Sequence, residues 1–169
     1  MNNLFLVTKY VIKMLQKFNY TCSKVKIMKI LYFAKGHFYQ ERDTELFGEH
    51  FEAWINGPVV RDAYRVLTYE YNWSYTSESV SDEEVAGLSD DIKRFIEKVA
   101  FLYGQYNDTT LVEASHNETP WISARKGYGS MHSSTQKINE AEIKNFYKQL
   151  DRKLCDNGSK NPVLAYRFA

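Results

Sequence analysis

The ten residues Phe51-Glu-Ala-Trp-Ile-Asn-Gly-Pro-Val-Val60 constrain the fold more than any other stretch of the chain. Phe51, Ala53 and Ile55 alternate with Glu52 and Trp54, a period of two that predicts a short strand with one buried face. Asn56 and Gly57 tolerate positive φ at low cost, so a turn is expected next. Pro58 fits the first position of a helix, where its missing N–H is no loss and its fixed φ suits the backbone. The expectation is a strand, a turn and a helix start within ten residues, the helix continuing through Val60, Ala63, Tyr64, Leu67 and Tyr71.

Helical spacing dominates elsewhere. Leu4, Val7, Val11, Met14, Leu15 and Phe18 form one stripe with lysines between them. Ser23 can cap a second helix to about Gln40, with Ile27, Ile30, Leu31, Ala34 and Phe38 on a wide apolar face. At a hundred degrees per residue Lys35 projects into that apolar sector, while Lys26 and Lys29 project from the opposite side. A buried unpaired ammonium is costly, so Lys35 either reaches water past its own stem or meets a carboxylate such as Glu52 at a groove. Ser89 caps a helix carrying Ile92, Phe95, Ile96, Val99, Leu102, Tyr103 and Tyr106. Asp108 to Ser115 is a short helix, and Thr119 followed by Pro120 opens another that carries Trp121. Asn139 with Glu142 makes a capping box, flanked by the staple pair Ile138 and Ile143, ahead of Phe146, Tyr147, Leu150 and Leu154.

The reading is therefore a mainly α, single domain of about six to seven helices with one or two short strands. A small sheet is expected around Phe51–Ile55, Trp73–Tyr75 or the C-terminal tail. Residues 1–154 form the domain and 155–169 a tail; the polar, acidic stretch from Asn72 to Gly87 reads as a mobile loop.

Charge is close to balanced overall, at +1, but unevenly spread. Residues 1–42 carry eight Lys or Arg against one acid, residues 43–120 five against sixteen, and residues 121–169 nine against four. Basic ends and an acidic middle either attract one another within the fold or steer a charged partner. Neither a net basic domain nor an interleaved Arg and aromatic motif is present, which argues against a nucleic-acid binder. With 13 Tyr and 10 Phe the chain is rich in side chains that serve contact surfaces as well as cores. The cysteines, Cys22 and Cys155, make no disulfide framework, and no stretch approaches the length of a membrane span. A cytoplasmic protein with reduced thiols and no membrane association is expected.

The residues offer little chemistry. A phosphate-binding Gly loop, a Gly-x-Ser-x-Gly turn and a His-Glu-x-x-His pair are all missing. His116 and Glu118 are two apart on a loop and could bind metal or move protons, but no third ligand follows at a suitable spacing. No metal and no cofactor are expected, and a hydrolase or metal-dependent nuclease built on His116 and Glu118 is the minority alternative.

The runs Lys29-Ile-Leu-Tyr-Phe-Ala-Lys-Gly-His37, Phe51 to Val60, His116-Asn-Glu-Thr-Pro-Trp121 and Ile138-Asn-Glu-Ala-Glu-Ile-Lys-Asn-Phe-Tyr147 together resemble the Panacea domain, the SocA-like or phage-associated antitoxin family. The resemblance implies a mainly helical domain without enzymatic activity. It would neutralise a companion toxin by direct binding, in some members by delivering it to an AAA+ protease. The family's motif positions fall on Leu31, Tyr32, Phe33, Ala34, Gly36, Phe51, Ala53, Trp54, Gly57, Pro58, Val59, His116, Pro120 and Trp121. Lys35 stands where the family often has Gln, and His37 where it often has Trp.

On this reading Lys35, Glu52, Trp54, Asn56, Gly57, Pro58, His116, Glu118 and Trp121 are the candidate partner-contacting residues. Leu31, Tyr32, Phe33, Ala34, Gly36, Phe51, Ala53, Val59 and Pro120 keep the fold. The partners expected are a cognate protein toxin and, in the adaptor version, an AAA+ protease; homo-oligomerisation is left open.

Overall fold

The computed structural model describes residues 2–69 and 79–150. Its helices begin where the caps fall. Asn3 accepts from the Phe5 and Leu6 amides to open α1 (Leu4–Lys17), and Ser23 accepts from the Lys26 amide to open α2 (Lys24–Arg42). Ser89 caps α4 (Asp90–Gly104), Asn107 caps α5 (Asp108–His116), and Asn139 caps α7 (Glu140–Gln149) through the Ala141 and Glu142 amides. The staple pair Ile138 and Ile143 is fully buried beside that last cap. With α3 (Arg61–Tyr69) and α6 (Thr119–Ala124) there are seven α-helices among the described residues, and the fold is mainly α.

Helix α2 is the axle. Every residue from Lys26 to Tyr39 is buried, because α1, α4, α5, α7 and the sheet all pack on it. The apolar face expected from the spacing is there, and so are partners on the side that looked solvent-facing. Lys26 and Lys29, placed by the spacing on that opposite side, are accordingly buried, at 3% and 1% exposure. The Lys26 amine is satisfied by the Thr21 hydroxyl at 2.9 Å and the Gly104 carbonyl at 2.7 Å.

The largest departure from expectation is at Pro58. It does not start a helix. Glu52–Trp54 (β1) and Gly57–Val59 (β2) form an antiparallel hairpin in which Glu52 faces Val59, Ala53 faces Pro58 and Trp54 faces Gly57. α3 begins only at Arg61. Ala53 sends its N–H away from β2, to the Gln136 carbonyl at 2.8 Å, so Ala53 and Pro58 are a pair without ladder bonds between them. The absent proline N–H therefore costs the ladder nothing, and β2 is an outer strand, where proline is tolerated. Of the two turn candidates only Gly57 takes positive φ, at 96°, after a turn made by Ile55 and Asn56. On the other side of β1, Glu52 bridges to Lys137, and the Ile138 amide donates to the Phe51 carbonyl at 2.8 Å.

Two smaller corrections concern the acidic stretch and α6. The described end of the polar stretch, residues 79–87, lies on α1: Lys13 reaches the Val80 carbonyl and Asp82, Lys9 meets Glu84, and Val80 and Val85 are buried. Thr119 is the first residue of α6 rather than its cap; Glu118 occupies the cap position, yet its side chain makes no capping bond. The possible strand at Trp73–Tyr75, Leu154, the boundary at residue 154 and the tail lie outside the described residues. No described helix is long and apolar enough to cross a membrane.

Candidate functional site

The hairpin is held from behind by α6. Trp121 donates its indole N–H to the Trp54 carbonyl at 3.0 Å, and Arg125, one turn on, donates to the Ala53 carbonyl at 3.0 Å. Arg125 also donates to the Gly129 and His132 carbonyls, closing the loop after α6 into place. It is 6% exposed, so its bonds to backbone carbonyls are what make its burial tolerable. Sequence reasoning passed over Arg125. The signal available was its position four residues after Trp121, on the same helix face.

His116 stacks on Trp121 with ring centroids 4.0 Å apart and 15° between planes. Its Nε2 is buried without a hydrogen-bond partner among the described residues; burial, aided by Lys29 and Arg125 nearby, pushes its pKa below the usual histidine value, against the pull of the Ile55 backbone. Glu118 is directed elsewhere, into the core, where it accepts from the Tyr147 hydroxyl at 2.9 Å. The Tyr32 hydroxyl is buried against the same carboxyl but lacks a well-formed hydrogen bond. Burial pushes Glu118 up to about 8, against the pull of the tyrosine hydroxyls, so it is a neutral acid at pH 7. The two residues thus make separate structural contacts, and among the described residues no three His, Cys, Asp or Glu side chains gather closely enough to hold a metal ion. Cys22 is buried, and burial raises its thiol pKa rather than activating it.

Lys35 neither reaches water nor meets Glu52. It is fully buried where α2 meets α7, 2.6 Å from a Glu140 oxygen and 2.8 Å from the Glu49 carbonyl, with its amine 5.1 Å from the Phe47 ring centroid. Glu140 also accepts from the Tyr39 hydroxyl at 2.8 Å. A carboxylate could be anticipated for Lys35, but not one 105 residues away on another helix. His37, the other departure from the family pattern, is fully buried, bonded to Gln40 at 3.1 Å and to the Tyr103 hydroxyl, and burial lowers its pKa to about 4.

Of the candidate contact residues, Glu52, Trp54, Asn56, Gly57 and Pro58 share the hairpin. Glu52 accepts from the Trp54 indole at 2.7 Å and from Arg61 at 2.9 Å, fixing the Trp54 ring, which meets Tyr64 edge-on at 4.9 Å. Gly57 has no room for a side chain: a Cβ there would overlap the Ser115 hydroxyl and come within 2.7 Å of the Lys29 Cε. Beneath it Lys29 donates to the Pro58 carbonyl at 2.8 Å, and burial lowers its pKa to about 7. Asn56 stands exposed at the tip of the turn.

Between this hairpin and the start of α2 opens a cavity of about 540 Å³. Val25, Met28, Trp54, Ile55, Val59 and Tyr64 give it apolar walls, and Ser133 to Thr135 form its rim. Tyr64 and the serine-rich rim were not anticipated, since a half-buried helix tyrosine and a polar loop look alike whether or not they border a groove. The arrangement offers an apolar recess beside rigidly held aromatic rings, which suits the binding of another molecule.

A family model described as "Antitoxin SocA-like, Panacea domain" matches residues 27–122, a span running from α2 through the hairpin to Ile122 in α6. A curated relative, Antitoxin SocA of Caulobacter vibrioides (strain NA1000 / CB15N), is 27% identical over 135 residues, covering 75% of this chain and 72% of that protein. No solved structure matches. The matched span takes in most of α2, the hairpin and the start of α6, and the chain belongs to the antitoxin SocA-like, Panacea domain family.

Proposed function

We propose that the protein is the antitoxin of a toxin–antitoxin pair and that it neutralises its companion toxin by binding it directly across the hairpin face. Membership of an antitoxin family supports the role. The observation that carries the mode of action is the open apolar cavity flanked by Trp54 and Tyr64, whose rings are fixed by Glu52 and by each other. Aromatic side chains already held in place lose little conformational entropy when a partner covers them, so they are efficient anchors.

The test is co-expression with the product of the neighbouring reading frame. Wild-type protein should restore growth and co-purify with that product. Asn56→Arg, which places a long charged side chain at the exposed turn without touching the core, should abolish both while circular dichroism stays unchanged. Trp54→Ala should act in the same direction. Full rescue by both variants would remove the hairpin from the interface, and toxicity of the neighbour unaffected by the wild-type protein would remove the antitoxin reading itself.

A further inference from the structure

Lys29 crosses the gap between α2 and the hairpin. Its side chain leaves α2 beside Val25 and Met28, lines the apolar cavity with them, and ends on the Pro58 carbonyl of β2 at 2.8 Å. An ammonium has three N–H donors, and among the described residues that carbonyl is the one acceptor Lys29 meets. The other two buried lysines of α2 are better served: Lys26 has a hydroxyl and a carbonyl, and Lys35 has a carboxylate and a carbonyl. No Asp or Glu lines the cavity among the described residues. The acid whose field reaches Lys29 is Asp108, on α5, and its carboxylate is held by the Ser23 hydroxyl at 2.7 Å. Of the other titratable groups around it, His116 is neutral at pH 7, and the Lys24 amine is taken up by the Thr68 hydroxyl and the Tyr64 ring.

We propose that the cavity is a binding site for a small molecule with an apolar body and a carboxylate head, the body lying between Val25, Met28, Ile55 and Tyr64 and the carboxylate accepting from the Lys29 amine. The cavity's volume, about 540 Å³, falls in the size range of small-molecule sites and exceeds what one side chain of a partner would fill. Apolar walls with few polar groups are the usual lining of such sites. The lysine selects the head. A cationic head meets like charge and a neutral one leaves the buried amine as it stands, whereas a carboxylate supplies the counter-charge and a charge-assisted hydrogen bond. One amine matches one negative charge, which favours a carboxylate over a doubly charged phosphate ester. The site stands on the cavity and Lys29 alone and goes beyond the toxin-binding reading without depending on it.

The probes are phenylbutyrate, phenylbutanol and phenylbutylamine, which share a body and differ in the head. Calorimetric titration at pH 6 should show phenylbutyrate binding at least about tenfold more tightly than the other two. Its affinity should fall at least about tenfold from pH 6 to pH 9, because the acceptor needs the ammonium and burial has lowered the Lys29 pKa to about 7. In Lys29→Met, which keeps the stem without the charge, phenylbutyrate should bind no better than phenylbutanol, and the pH dependence should vanish. Retained phenylbutanol binding in that variant shows that the cavity is still formed. Val25→Trp, which fills the recess from α2, should abolish binding of all three with circular dichroism unchanged.

Absence of saturable phenylbutyrate binding, equal binding of the alcohol, indifference to pH, or unchanged binding in Lys29→Met would each overturn the proposal. Tighter binding of the tripeptide Gly-Gly-Phe through its free C-terminal carboxylate would overturn the small-molecule occupant in favour of a chain end. Each of these results leaves rescue by co-expression untouched, and loss of rescue leaves the probe titrations untouched, so the two readings fail separately.

Discussion

Helix α2 meets two quite different neighbours along its length. Toward its C-terminal half it lies tight against α7: a side chain on Gly36 would overlap the Tyr147 ring, and Lys35 is neutralised by Glu140. Toward its N-terminal half it faces the hairpin across an unfilled recess, and its buried lysine there, Lys29, has a carbonyl in place of a carboxylate. One face is built for permanence, with close approach and charge compensation. The other keeps space beside it and answers its buried amine with a carbonyl alone.

That contrast can be broken by substitution. The largest effect is expected for Glu140→Ala, which strands the fully buried Lys35 ammonium; urea denaturation should show a loss of about 3 kcal/mol. Next, Gly36→Ala should cost about 2 kcal/mol by forcing α2 and α7 apart. Val25→Leu, at the recess, should stay within about 0.5 kcal/mol of wild type. Equal costs at the two positions would mean that the recess is as closely packed as the seam.

Two smaller effects sharpen the comparison through pH. Glu118 beside Tyr147 has its pKa raised from 4.5 to about 8, so between those values the folded chain holds a proton that the unfolded chain has released. Stability should therefore fall as pH rises through that window, and Glu118→Gln should flatten this part of the curve and raise the melting temperature at pH 8. Lys29 runs the other way. Its pKa is lowered from 10.5 to about 7, so the unfolded chain binds the extra proton and stability should rise between those values. Lys29→Met should be about 1 kcal/mol more stable than wild type at pH 6, an advantage that shrinks by pH 9. Thermal melts across pH check both, and an unchanged gap between Lys29→Met and wild type would mean that Lys29 is not paying for its burial.

The helices were legible in the sequence because caps and apolar spacing are local signals: Ser23, Ser89 and Asn139 each sit immediately before the helix they cap. Pro58 misled because a proline after Asn-Gly suits a helix start as well as an outer strand, and only the pairing of Ala53 with Gln136 decides between them. The partners of Lys35, Lys29 and Arg125 were hidden for a related reason. Each is satisfied by a group distant in sequence or by a backbone carbonyl, and carbonyls have no letter in the sequence. His116 and Glu118 looked like a pair by adjacency, yet His116 ends α5 and Glu118 stands at the cap of α6, and the break at Asn117 between them leaves one on Trp121 and the other on Tyr147.

The enclosure of α2 from Lys26 to Tyr39 has a kinetic consequence. A helix sheathed on every side cannot fray or detach while the rest of the body persists, so amide hydrogens along it should exchange only through complete unfolding. The domain should come apart in a single event or not at all.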